Sequence, residues 1–389
     1  MKWILAASVL AAAVVAGCGG QSGVGSDRRD HGPGADRPPP DVQVSTAGWK
    51  TDFSKHSVPL DEFESGGPGK DGIPAIDRPR FTSVAEADRE LDGREPVAAL
   101  ELGGDAKAYP IRILVWHEIV NDTLAGRPIA VTYCPLCNST VAFSREVGGR
   151  TLSFGTTGNL RNSDLVMYDR QTESWWQQIT ADAVVGELTG TKLRLIPSQV
   201  LSWDQFKRLH PDARVLSTDT GYDRPYGSNP YVGYDQPNSP PFASSGETDN
   251  RLPPKERVAA VRTGKDAAVV YPFSRLEHDA PVDDEIDGKR VVVFFDPRVA
   301  SPLDAPEIPQ GDDVGTAAVF DRFADGNALS FIRGPKPGTF RDRQTGSTWD
   351  MSGRAIAGSL EGERLEQVPS DDQFWFALAA FFPRAEIRR

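Results

Sequence analysis

The chain has 389 residues, with 43 lysines and arginines against 55 aspartates and glutamates and a formal net charge of −12. At 39% hydrophobic residues it can build a core, which excludes wholesale disorder and a polytopic membrane protein. The acidic balance excludes nucleic acid as the main partner, because phosphate binding needs a basic face. Three cysteines in so long a chain are no disulfide scaffold, so their positions matter more than their number.

Met1-Lys2 supplies a short positive start, and Trp3 to Ala16 is an apolar run broken by Ser8. That run is too short for a permanent span and fits the core of a secretory signal, residues 1–17. It ends in Val15-Ala16-Gly17-Cys18, which resembles a bacterial lipobox. The resemblance implies acylation (palmitate-type chains) at Cys18. It also implies a lipoprotein held at an extracytoplasmic membrane face, since two or more chains anchor stably where one is marginal. Residues 18–48 follow as a tether rich in Gly, Pro and charge, unable to bury enough surface to order itself. Pro38-Pro39-Pro40 keeps it extended.

The body repeats itself. Tyr109-Pro110 to Gly126 matches Tyr271-Pro272 to Gly288 at an offset of 162 residues, and Ile129 to Tyr133 matches Val291 to Phe295 at the same offset. Asp169-Arg170-Gln171-Thr172 recurs as Asp342-Arg343-Gln344-Thr345, and Trp176 falls opposite Trp349. An ordered series of this kind points to duplication. The expected organisation is a first half, 49–220, a connecting loop, 221–255, and a second, degenerate half, 256–389. Most of each half reads as strand, including Arg127 to Tyr133 and a hairpin around Gly148-Gly149. Helices are expected over Ile111 to Val120, over Ser198 to Leu209 with a Ser cap, and over Ser370 to Phe382. The fold class is therefore α+β, predominantly antiparallel β, with two duplicated β-rich halves packed together. The connecting loop holds four of the chain's 8 tyrosines, Tyr222, Tyr226, Tyr231 and Tyr234. It reads as a strap closing a seam or as an aromatic binding loop.

Cys134-Pro135-Leu136-Cys137 follows directly on a strand. Two thiols at that spacing can form a disulfide, act as a redox pair or chelate a metal. A thioredoxin-type motif needs a helix at this point, whereas Asn138 to Phe143 reads as turn then strand, a knuckle that offers both sulfurs to one ion. The knuckle supplies only two ligands. Trp116-His117-Glu118-Ile119-Val120-Asn121-Asp122 offers the next, although Asn121 stands where a zinc-peptidase helix would carry its second His. His117 is thus the candidate third ligand, with Glu118, Asn121 and Asp122 placed to orient it. At the repeat offset Cys134, Cys137 and His117 fall opposite Asp296, Val299 and Asp279, so the chemistry belongs to the first half. Asp164, Ser174, Trp176 and Gln177 are candidate pocket residues. Asp-Arg-Gln-Thr itself reads as turn chemistry plus an ion pair, because it recurs.

The blocks Tyr109-Pro110, Trp116 to Asp122, Tyr133 to Ser139, Asp169 to Ser174 and Trp176-Gln177 resemble the prokaryotic family called domain of unknown function 3179. The resemblance covers most of residues 50–389. It implies that His117, Glu118, Cys134 and Cys137 belong to a family pattern, and it supplies no activity. Cys₂His suits copper(I) or zinc. An open fourth position would allow catalysis, and a closed shell would mean storage or structure. The competing expectations are thiol redox chemistry at Cys134 and Cys137, and a non-catalytic envelope module. In the module the two cysteines form a disulfide and the Tyr-rich loop holds a glycan or protein partner. A hydrolase built on His117 and a carboxylate ranks third.

Overall fold

The structure is a computed structural model and describes residues 43–242 and 249–388. The signal segment, Cys18 and most of the tether lie outside the described residues. Among the described residues no helix is long and apolar enough to cross a membrane.

Strands dominate, nearly all of them antiparallel, so the α+β reading holds. Strands β1 (Pro96–Leu102) and β2 (Asp105–Pro110) pair antiparallel, and Gly103 and Gly104 turn between them with φ of 59° and 88°. Two positive φ angles in a row are the demand of a two-residue hairpin whose twist matches its strands. Helix α1 (Ile111–His117) buries Ile111, Ile113, Leu114, Val115 and His117 and stops at Glu118, which is left-handed with φ 57°. The expected helix therefore ends early, because Ile119 and Val120 already pair in strand β3 (Ile119–Leu124) with β4 (Arg127–Cys134). Strand β5 (Ser139–Ser144) returns along β4 with Cys134 opposite Ser139. Further on lie β6 (Phe154–Arg161), β7 (Asp164–Asp169) and β8 (Trp175–Gln177), each antiparallel to the next.

Residues 199–202 are not helical. They form β9 (Gln199–Ser202), paired with Pro96–Ala99, before α2 (Trp203–Leu209) begins. Sheet pairing claimed the first turn of the expected helix, and the cap is Ser202, whose capping box closes with Gln205. The same order follows in the second half: β10 (Arg257–Arg262), β11 (Ala268–Pro272), α3 (Phe273–Asp279), β12 (Val282–Ile286) and β13 (Lys289–Asp296). The helix expected from Ser370 likewise opens as strand β14 (Asp371–Phe374) and continues as α4 (Trp375–Phe381). The glycine hairpin forms as a short ladder of Glu146–Val147 with Arg150–Thr151.

The two halves share their cores. Helix α4 buries Trp375, Phe376, Leu378 and Phe381 in the cluster that also holds Cys134, Cys137, Phe154 and Trp176. Helix α2 buries Trp203 and Phe206 against Phe294, Phe320 and Trp349. Each large side chain so buried contributes about 1.5–3 kcal/mol, so Trp375→Ala should cost ~3–5 kcal/mol. The terminal helix of the second half and the cysteines of the first thus share one hydrophobic core.

Candidate metal centre

The Cys-Pro-Leu-Cys run is the turn between β4 and β5, as a knuckle requires, and no helix starts there. Asn138 N–H closes the turn on Pro135 O at 3.2 Å, and Asn138 takes φ 51°. Tyr133 hydroxyl donates to Asn138 Oδ1 at 3.1 Å, and Phe374 N–H, from β14, donates to Cys137 O at 2.9 Å. Both cysteines are free thiols and buried. Both aim at one carbonyl, that of Ser163, with Sγ–O distances of 3.7 Å for Cys134 and 3.4 Å for Cys137.

The third member of the cluster is Asp164. Its carboxylate and the two sulfurs all lie within 4.8 Å of one another, and all three residues are buried. Asp164 opens β7 and is held on one side only. Oδ2 accepts from Gln177 Nε2 at 2.5 Å and from Ile179 N–H at 3.0 Å, while among the described residues Oδ1 meets no N–H or O–H donor and the carboxyl's other neighbour is the Cys137 thiol. A buried carboxylate oxygen without a partner is costly, and a cation beside it would remove that cost. Burial pushes the Asp164 carboxyl up to about 7, against the hydrogen bonds from Ile179 and Gln177. Burial, and then the charge of Asp164, pushes Glu118 up to about 8. The Cys137 thiol is pushed well above its ordinary value by burial, with Cys134 and Asp164 adding to it.

His117 does not join this cluster. Nδ1–H donates to Pro74 O at 2.7 Å and Nε2 accepts from the Tyr226 hydroxyl at 2.6 Å, so both ring nitrogens are occupied. Burial lowers its pKa, in keeping with a neutral ring. The third member of the group around the two sulfurs is Asp164, not His117. Asn121 and Asp122 have other work too. Asn121 donates to Asp77 Oδ1 and Phe154 O, both at 2.8 Å, and accepts from Phe154 N–H at 2.9 Å. Asp122 Oδ2 accepts from Tyr109 hydroxyl at 2.6 Å and Lys107 Nζ at 2.7 Å. Asp284 and Tyr271 repeat that bond at 2.7 Å, which marks it as a tie within the fold.

Of the expected pocket residues, Asp164 and Gln177 meet at the site. Ser174 and Trp176 do not, being fully buried and committed to the Asp169 turn. Asp169 accepts from Thr172 N–H at 2.7 Å and from Trp176 Nε1 at 2.9 Å, and Asp342 does the same for Thr345 and Trp349. Arg170 forms the expected ion pairs, at 3.1 Å to Asp71 and to Asp77.

Sequence reasoning missed the Ser163 carbonyl, and it read the Tyr-rich segment as a strap without placing it at the cysteines. Tyr231 and Tyr234 pack against the cysteine cluster, while Gly233 N–H and Tyr234 N–H bond to Asp304 O and Leu303 O at 2.7 and 3.1 Å. Ser163 hydroxyl also bonds the Phe242 carbonyl. The signal for Asp164 was available: at the offset that aligns Asp169 with Asp342 it stands opposite Pro337, the same loss that marks the cysteines.

Two thiolates and a carboxylate are a donor set for a borderline ion. A tetrahedral zinc shell needs its ligand atoms about 3.3–3.8 Å apart, a spacing within the reach of three atoms that already lie inside 4.8 Å of one another. The family model described as "Protein of unknown function (DUF3179)" matches residues 70–385. The chain belongs to that family. No curated protein and no solved structure matches it.

Proposed function

We propose that this member of the DUF3179 family is a metal-binding protein of the bacterial cell envelope that holds one zinc ion between Cys134, Cys137 and Asp164. The observation that supports this most is the buried group itself, two free sulfurs beside the Asp164 carboxyl, whose Oδ1 meets no N–H or O–H donor among the described residues. The carboxylate favours zinc over copper(I), which prefers sulfur and imidazole alone. Full burial in the core shared with α4, Tyr231 and Tyr234 favours a structural or storage site over an open catalytic one. The lipobox at Cys18 supports attachment to the extracytoplasmic face of a membrane.

A dithiol–disulfide role has one observation in its favour: Asp164, raised to about 7, stands beside the Cys137 thiol where a proton acceptor would be needed. Against it, neither sulfur is open to an attacking thiolate. The test uses the whole chain with Cys18→Ala, loaded separately with zinc and copper(I) under reducing conditions. Metal content by mass spectrometry should give one zinc per chain, lost in Cys134→Ala and kept in His117→Ala. No bound metal together with a rapidly formed Cys134–Cys137 disulfide would overturn the metal reading and favour the redox one.

A further inference from the structure

The end of β13 opens on a second cleft. Asp296 closes β13 as Cys134 closes β4, and Pro337, Asp350 and Met351 fall opposite Asp164, Gln177 and Gln178. The first site is sealed. The corresponding place in the second half is an open cleft of about 540 Å³, flanked by α2.

Its chemistry is inverted. Buried Asp296 is saturated: Gln205 Nε2 donates to Oδ2 at 2.7 Å, and Arg298 donates through Nε at 2.9 Å and Nη2 at 2.6 Å. Asp350 Oδ1, the other carboxylate in the lining, accepts from Ser352 N–H, Ser352 hydroxyl and Arg354 N–H. The cations are less committed. Arg208 and Lys336 pair with no carboxylate among the described residues, and Arg298 keeps Nη1 and one Nη2 hydrogen free. The loop carrying Lys336 is pressed onto this pair. A Cβ at Gly338, where φ is +69°, would lie 2.2 Å from Asp296 Oδ2 and 2.9 Å from Arg298 Nη2. Only glycine fits so close an approach, and it fixes Lys336 and Pro337 at the rim. Leu209, Pro337, Met351 and the exposed Ile356 form the apolar wall.

In a chain of net charge −12, three cations against two carboxylates, one of them (Asp296) bonded at both oxygens, beside an apolar wall is a specific arrangement. We propose that this cleft binds an amphipathic anion. A carboxylate or phosphate monoester head is held by Arg298, Arg208 and Lys336, and an apolar body lies on Leu209, Pro337 and Ile356. A guanidinium oriented by a buried carboxylate presents its remaining hydrogens in a fixed plane, which suits an oxyanion. The site is independent of the metal proposal.

The test is calorimetric titration of the whole chain carrying Cys18→Ala, with decanoate, decyl phosphate, inorganic phosphate and decyltrimethylammonium, each below its micellar concentration. Decanoate or decyl phosphate should bind saturably at one site, and the preferred one identifies the head. Binding should weaken at least ten-fold in the Arg208→Gln/Lys336→Gln double variant and in Ile356→Asp. Arg208 and Lys336 pair with no carboxylate among the described residues, so their loss should leave the fold intact, which circular dichroism checks. Unchanged affinity in the double variant would overturn the assignment, as would equal binding of the cationic amphiphile. Binding of inorganic phosphate as tight as that of decyl phosphate would remove the apolar part of the proposal.

Discussion

Asp164→Asn should reverse its effect on stability according to whether metal is present. Folding raises the Asp164 carboxyl from an ordinary 3.8 to about 7, so the folded state binds its proton more tightly than the unfolded one. The sign follows: below pH 3.8 the group costs nothing, its cost grows as the pH rises towards 7, and above 7 it is fully present. Three units correspond to about 4 kcal/mol as a ceiling for the metal-free protein, because 1.36 kcal/mol accompanies each unit. Asparagine keeps an oxygen for Gln177 and Ile179 and carries no charge. Metal-free Asp164→Asn should therefore be the more stable form at pH 8, by up to ~4 kcal/mol or roughly 5 °C in a chain of this size. Loaded with zinc, the order should invert, since the variant lacks an anionic ligand and should bind zinc at least ten-fold more weakly. Thermal unfolding of both proteins at pH 5 and 8, with zinc and with chelator, reads all four cases. At pH 5 without zinc the gap should shrink to less than half of that, at most about 1.6 kcal/mol. If Asp164→Asn proves less stable than the parent at pH 8 in chelator, the carboxyl is not a strained group awaiting a cation and the reasoning fails.

Other outcomes follow from the same geometry. Zinc affinity should climb with pH between 6 and 8, because the thiols and Asp164 must shed protons to bind; calorimetry in buffers of different ionisation enthalpy would count more than one proton released per ion. His117→Gln should keep its zinc yet loosen the connecting segment, since Tyr226 loses the ring it donates to; faster proteolysis between Gly221 and Pro254 would show this. Tyr109→Phe should cost about 1–3 kcal/mol by leaving buried Asp122 a donor short, with metal content unchanged, and denaturant titration measures it. Tyr271→Phe should cost less, because Asp284 is half-exposed and also meets Arg388.

The parts of the fold that were legible in the sequence rest on local rules. The knuckle was readable because Asn138-Ser139-Thr140-Val141 cannot continue a helix from Cys134 and suits a turn and a strand. The Asp169 turn was readable because its bonds span only three to seven residues and recur at Asp342. Helix starts were misplaced by five residues at both Ser198 and Ser370, because both segments open as strands paired to distant partners, Pro96–Ala99 and Arg257–Ala260. Ser202 with Gln205 was the local sign of the true cap.

The ligand set was legible only in part for the same reason. Cys134 and Cys137 are neighbours in sequence, whereas the third member is 27 residues beyond Cys137 and arrives by β7. His117 had the right chemistry and helical context, but its ring is taken up by Pro74 and Tyr226, 43 and 109 residues away. A lone histidine near a thiol pair says nothing about which long-range hydrogen bonds will claim it.

The most direct test is X-ray absorption at the zinc edge of the loaded protein. Two sulfur scatterers at about 2.3 Å with oxygen at about 2.0–2.2 Å, and no imidazole outer-shell scattering, are the expected result for Cys134, Cys137 and Asp164. A shell with fewer than two sulfurs, or with a clear imidazole contribution, would contradict it.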